Sequence, residues 1–151
     1  MEQRFDQISP IAIVLTIAIV VVPIGIAAAI GDATGSTLAV TSIIGLAMGV
    51  LIWTFNRLSV RVNDDAVVVA FGFGLPRRTI TFDRILAARP VRNRWYAGWG
   101  IRYLRTGWMW NVWGLSAVEL DLAGGRHFRI GTDRPDELAA AITRRTARNR
   151  R

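Results

Sequence analysis

A hydrolytic site needs a nucleophile, a base and an acid that orients the base. Cysteine is absent, so no thiolate nucleophile, disulfide or thiolate metal site can form. Histidine occurs once, as His127, which excludes a multi-His metal centre within one chain. The charged part of the sequence holds Ser59 and Ser116, each inside a strand-like alternation. His127 alternates outward from Phe128, the pattern of a surface histidine beside a hairpin turn. Asp64-Asp65 has turn chemistry and Asp136-Glu137 sits where a helix begins, so neither pair reads as an acid–base couple. Gly72-Phe-Gly-Leu-Pro-Arg-Arg78 lacks the Lys-Ser/Thr of a phosphate loop and precedes a strand rather than a helix. The expectation is a non-enzymatic protein with no metal and no cofactor.

Binding chemistry concentrates in residues 92–113. This stretch carries Trp95, Trp99, Trp108, Trp110 and Trp113, with Tyr96, Tyr103, Arg92, Arg94, Arg102 and Arg105 among them. Alternation puts Trp108, Trp110 and Val112 on one strand face and Met109 and Trp113 on the other, while Trp95-Tyr96 falls in a loop. A strand cannot bury both faces in a small barrel, so some rings fill the core and others are exposed. Exposed Trp suits a membrane interface, being half apolar and half wet. Trp, Tyr and Arg equally suit a protein partner. The expected lipid- or partner-binding residues are Arg92, Arg94, Trp95, Tyr96, Trp99, Arg102 and Trp113. The C-terminal tail adds Arg144, Arg145 and Arg148 within a run of five Arg in eight residues. Near an anionic leaflet each Arg contributes about 1 kcal/mol; the same run also reads as a solvated topological signal. No motif that reads nucleic acid accompanies it, and no nucleic-acid partner is expected.

These residues need elements to hold them. The chain has 151 residues, 52% hydrophobic and 20% charged, which fits one folded domain and excludes a disordered chain. Its net charge of +8 is unevenly spread. Residues 1–55 hold one Arg and the acids Glu2, Asp6 and Asp32, a net of −2, whereas the remainder carries +10. All the basic residues are Arg.

Residues 8–30 and 37–55 are free of charge. At about 1.5 Å per residue each is long enough to cross a hydrocarbon core about 30 Å thick. Neither has the polar face of a soluble amphipathic helix. The leading residues are net negative and a second apolar run follows at once, which argues against a cleaved signal peptide. Pro23 reads as a tolerated kink. The short linker Gly31-Asp-Ala-Thr-Gly-Ser36 allows only a tight helical hairpin. Positive charge stays on the cytoplasmic side, so both termini are expected there, with Asp32 outside. Trp53, Phe55 and Arg57 fall where membrane-interface anchors belong. Gly45 and Gly49 share one helix face, either to let the chain's own helices approach or as a dimer seam.

From Leu58 onward the period is two. Leu58, Val60 and Val62, then Val67, Val69 and Phe71, then Arg78, Ile80 and Phe82 mark successive strands, with turns at Asn63-Asp64-Asp65 and Gly72–Pro76. Residues 87–91, 99–103 and 108–113 continue the series. Val118, Leu120 and Leu122 alternate with Glu119 and Asp121, and Phe128 and Ile130 follow the Gly124-Gly125 turn. A helix then starts near Thr132-Asp133-Arg134-Pro135, with a capping Thr or Asp and acids in its first turn, and runs to roughly Ala147.

Two sheets of about seven strands closed by a helix are the plan of a pleckstrin-homology-like (PH-like) barrel or sandwich. The pieces "FGFGLPRRTITFDRI", "WGIRY" and "NVWGLSAVELDLAGGRHFRIGTDRPDELAAAI", with the preceding two-span hairpin, resemble the bacterial PH-like domain membrane proteins of the two-span type. The resemblance implies a fold and a membrane attachment, not a reaction. The expected class is an α+β membrane protein of the bacterial cell membrane. Residues 1–57 form a transmembrane helical hairpin and residues 58–151 a cytoplasmic PH-like domain with a C-terminal capping helix. The expected function is a membrane-anchored binding or scaffold module acting in protein interaction or membrane organisation, its partners being membrane lipids and a protein, including a second copy of the chain. The alternatives are an anionic-lipid-associating module and a small accessory subunit of a membrane transporter or enzyme complex.

Overall fold

The computed structural model describes residues 3–30, 35–105 and 107–150. Among these residues nine strands and three α-helices follow in the order β1 (Gln3–Ile8), α1 (Pro10–Ile30), α2 (Gly35–Phe55), β2 (Arg57–Val62), β3 (Ala66–Phe71), β4 (Arg77–Thr81), β5 (Ile85–Arg92), β6 (Gly100–Leu104), β7 (Gly107–Asn111), β8 (Ser116–Leu122), β9 (Arg126–Gly131) and α3 (Pro135–Asn149). Short 3₁₀ turns span Phe82–Arg84 and Trp95–Ala97. The fold is mixed α+β: two sheets, helices near the N-terminus and a helix at the C-terminus.

The first sheet has the order β1-β2-β3-β4 and the second β5-β8-β9-β7-β6. No ladder joins them among the described residues, so this is a sandwich of two open sheets and not a closed barrel. Alternating side chains supply one shared core: Leu58, Val60, Val69, Phe71 and Ile80 from the first sheet meet Trp110, Val118, Leu120, Phe128 and Ile130 from the second. Helix α3 closes the sandwich with Leu138, Ala141 and Ile142, all at most 2% exposed. Pro135 opens this helix, with Asp136 and Glu137 at its positive end. The expected side-chain cap is absent, because Arg134 holds the cap position; Thr132 Oγ1 instead accepts a bond from the Arg134 N–H at 3.2 Å.

Three expectations need correction. The leading residues are not an appendage of the hairpin. They form β1, which pairs antiparallel with β2 from Gln3 opposite Val62 to Ile8 opposite Arg57. The boundary at residue 57 therefore cuts through one sheet, and the first helix starts at Pro10 rather than at residue 8. Second, the described residues form nine strands where about seven were expected: the runs read from alternation, residues 99–103 and 108–113 among them as β6 and β7, are all present, and β1 is the addition. Third, among the described residues one helix, Gly35–Phe55, is long and apolar enough to cross a membrane, by length and composition; in α1 the described apolar stretch is the shorter Val14–Ile26. The linker reading at Gly31, with Asp32, lies outside the described residues, as does Arg151.

The helices α1 and α2 pack against each other. Helix α1 continues through Pro23. Gly45 is buried, and a Cβ at Gly49 would lie 3.5 Å from the Thr16 methyl of α1, so both glycines face the chain's own partner helix. The hydroxyls of Thr41 and Thr54 donate back to the carbonyls of Thr37 and Val50 at 2.8 Å, which leaves the helix surface apolar. Where α2 meets the sandwich, Gly72 has φ +37°, and a Cβ there would fall 2.1 Å from the Thr54 carbonyl oxygen. Only glycine permits that approach. The Phe55 ring lies 5.5 Å from Phe71, which continues through Trp110 to Phe128 at 5.4 and 5.7 Å. Aromatic contact thus runs from the end of α2 into the core of the second sheet.

Candidate functional site

Strands β5 and β8 are direct antiparallel neighbours, Arg92 opposite Ser116. Everything between them is therefore an excursion from the sheet. The Asn93 N–H closes its base on the Leu115 carbonyl at 2.7 Å. The excursion carries the β6–β7 hairpin and joins the sheet through a parallel ladder, β7 beside β9. Gly107 makes that ladder possible, because a Cβ there would sit 1.7 Å from the His127 carbonyl oxygen.

The Trp- and Arg-rich segment is this excursion. Trp110 is buried in the core, as the alternation allowed. Met109, on the opposite strand face, is fully buried as well. The other rings stay outside: Trp95 is 82% exposed, Tyr103 68%, Tyr96 60%, Trp99 50% and Trp108 43%. Together with Trp113 they form three pairs. Trp95 and Tyr96 meet edge to face at 6.0 Å, with Arg94 Nη1 donating to the Tyr96 hydroxyl at 2.6 Å. Trp99 stacks on the half-buried Trp113 at 4.8 Å. Tyr103 and Trp108 meet edge to face at 5.3 Å. Arg102 Nε donates to the Trp99 carbonyl at 3.1 Å, its guanidinium lying over Gly98. Rings fixed in pairs lose little further freedom on binding, which suits an anchor surface.

The remaining expected site residues lie elsewhere. Arg92 is exposed on β5. Arg144 and Arg148 are exposed on α3, and Arg145 is ion-paired to Asp64. This pairing holds the Asp64 carboxyl below its ordinary pKa, chiefly through the hydrogen bond from Arg145. Arg150 donates to the Ile85 carbonyl at 3.0 Å, which ties the tail to β5. Trp53 and Phe55 are exposed at the end of α2. Arg57 is held by Asp6, Nη2 to Oδ2 at 2.6 Å.

Sequence reasoning missed two polar centres. Gln7 of β1 is 2% exposed and bridges the sheets. Its Nε2 donates to the Trp113 carbonyl at 2.7 Å and to Asp133 at 3.1 Å, and its Oε1 accepts from the Val112 N–H at 3.3 Å. The second centre lies on the outer face of the second sheet. Glu119, Asp121 and His127 bring potential metal-ligand atoms within 4.8 Å of one another. Arg129 donates to Glu119 at 2.6 Å, Arg89 reaches Asp121 at 2.9 Å, and His127 Nδ1 lies 2.8 Å from Asp121. Two guanidiniums already hold these carboxylates, so the arrangement is an ion-pair network; a cation would have to displace both. The outward alternation of Glu119, Asp121 and His127 was the available signal, but not the partners.

Compared with protein-family models, curated proteins and solved structures, the chain matches none.

Proposed function

We propose that this chain is a membrane-anchored, non-enzymatic binding module of PH-like architecture, and that the β6–β7 excursion docks a protein partner. Removing that excursion leaves four strands (β1 to β4), three strands (β5, β8, β9) and a closing helix, which is the PH-like order. The helical hairpin is then an insertion between the first two strands and the aromatic hairpin one between the fifth and sixth.

Membrane anchoring draws support from three features. The apolar stretch of α2 is almost entirely unburied, and such a surface needs an apolar solvent. The β3–β4 turn beside it exposes Phe73 and Leu75, 77% and 72% accessible. The backbone N–H of Ser9 bonds to the Asn56 carbonyl at 3.0 Å, so the chain enters and leaves the hairpin at one point. With the Arg-rich sandwich on the positive-inside face, both termini are cytoplasmic.

The observation that carries the docking role is the set of exposed, paired rings on one inserted hairpin. A second reading, association with anionic lipid, is favoured by the Gln7–Trp113 bond, which ties the Trp99–Trp113 stack to the strand leading into α1. Photocrosslinking in native membranes separates the two. A photoreactive residue at Trp95 or Tyr103 should trap one discrete protein, while the same residue at exposed Ala140 on α3 should not. Crosslinks to lipid alone from Trp95 and Tyr103 would favour the second reading. Equal yields at Ala140 would sink the docking role.

A further inference from the structure

The two sheets do not pair along β4, the outer strand of the first sheet. A cavity of about 170 Å³ occupies this seam, between β4 and the β8–β9 turn. Arg78, Arg84 and Arg126 line it. Arg78 occupies an inward position of β4, in line with Ile80 and Phe82, where the strand pattern otherwise places apolar side chains. It is half-buried, and its guanidinium stacks 4.6 Å from the centre of the Phe128 ring. No carboxylate pairs with any of the three among the described residues. Burial lowers the Arg78 pKa from its ordinary value, and the charges of Arg126 and Arg84 push it the same way.

An Arg at an inward position is normally matched by an acid, because an unpaired charge out of water is costly. Here the charges that act on it are two more guanidiniums, Arg126 and Arg84. Such a cluster is stable when an anion supplies the missing charge, and planar guanidinium forks match the oxygens of a tetrahedral oxyanion. As an edge strand, β4 also turns alternate backbone N–H groups away from β3 and toward the seam. Cavities for drug-sized ligands run from about 300 Å³ upward, so this smaller one takes a single phosphoryl group and not a large cofactor.

We propose that the seam bounded by Arg78, Arg84 and Arg126 is a binding site for a phosphate-class oxyanion, either free phosphate or the terminal phosphate of a larger molecule. The site is separate from the β6–β7 surface, and neither proposal depends on the other.

The test uses the full chain in nanodiscs of neutral phosphatidylcholine. Thermal unfolding is followed as inorganic phosphate replaces chloride at constant ionic strength. A ligand that binds only the folded state raises Tm with its concentration. Phosphate also stabilises proteins by exclusion from their surfaces, so the informative quantity is the difference between variants. Arg126→Gln alters an exposed side chain and keeps the fold; it should weaken the apparent phosphate affinity about tenfold, the loss of one charge-assisted contact. Arg78→Met should abolish the response, while unfolding no earlier than the parent chain in chloride because like-charge repulsion is relieved. Arg61→Gln, exposed on β2 and outside the seam, should respond like the parent. A second arm replaces part of the neutral lipid with phosphatidic acid and omits soluble phosphate. An Arg126-dependent rise in Tm there identifies a lipid headgroup as a source, and its absence points to soluble phosphate. A phosphate response of equal size in the parent, Arg126→Gln and Arg78→Met chains would overturn the proposal.

Discussion

The backbone N–H of Ser9 donates to both the carbonyl and the side-chain Oδ1 of Asn56, at 3.0 and 3.1 Å. These residues flank the helical hairpin, and the bonds between them make the neck through which it joins the sandwich. Strand β1 lies on one side of this neck and β2 on the other, and the two pair along their length. A fragment beginning at Asn56 therefore loses an outer strand of the first sheet and bares the edge of β2. Replacing residues 10–55 with a short Gly-Ser linker should instead yield a folded, water-soluble sandwich. Circular dichroism and amide NMR dispersion would check this. A cooperative, dispersed Asn56–Arg150 fragment would show that β1 is dispensable.

Gln7 explains why β1 matters beyond its ladder. Its amide satisfies the Trp113 carbonyl, the Val112 N–H and Asp133 across the gap between the sheets. Gln7→Leu keeps the volume but leaves buried backbone groups unpaired. Each such group costs about 1–3 kcal/mol, so a loss of roughly 2–4 kcal/mol is expected. The measurement is denaturant unfolding of the hairpin-deleted protein. A loss below about 0.5 kcal/mol, the level of an ordinary surface change, would show that the bridge is incidental.

Much of the sandwich could be read directly from residue alternation. Leu58, Val60 and Val62, or Val118 and Leu120, sit at period two on strands with one buried face, and all of them are buried. Strand β1 could not be read this way. Its inward positions are Phe5 and Gln7, so a polar amide stands where the pattern asks for an apolar residue. Its partner strand also lies beyond the whole hairpin. The parallel pairing of β7 with β9 was equally hidden, because it depends on the close approach at Gly107 rather than on any periodicity. Trp110 and Trp108 share a strand face, yet one is core and the other exposed, since the opposing sheet covers only part of β7. Sequence likewise showed the positive charge but not its pairing: Arg57 and Arg145 are held by Asp6 and Asp64, while Arg78, whose inward placement alternation already suggested, has no acid partner among the described residues.

Asp6 sets a pH dependence at the neck. Burial raises its carboxyl pKa, but hydrogen bonds from Arg57, Arg4 and Ser59 outweigh that, and the net result lies below the ordinary 3.8. A lowered folded pKa means the stabilisation is complete above the unfolded value and fades as pH falls through the folded one. The ion pairs are largely exposed, so solvent screening holds their contribution to about 1 kcal/mol or less. Asp6→Asn should therefore lower Tm slightly at neutral pH, and the gap to the parent should close in acid, as pH falls through the lowered carboxyl pKa. A gap of equal size at both pH values would assign the effect to packing rather than charge.

Gly107 gives the sharpest handle on the aromatic excursion. Its Cα lies against the His127 carbonyl so closely that any side chain must push β7 off β9. The sheet β5-β8-β9 has its own antiparallel ladders and does not need β7 to form. Gly107→Ala should thus loosen β6 and β7 selectively. Because Trp110 sits in the shared core, the cost should be about 2–4 kcal/mol, comparable to a disrupted core contact. Hydrogen exchange resolved by residue would show amides of β6 and β7 exchanging much faster, with those of β8 and β2 little changed. Uniform acceleration across all nine strands would mean that the excursion and the sandwich unfold as one unit, and the two-insertion description of the fold would lose its physical meaning.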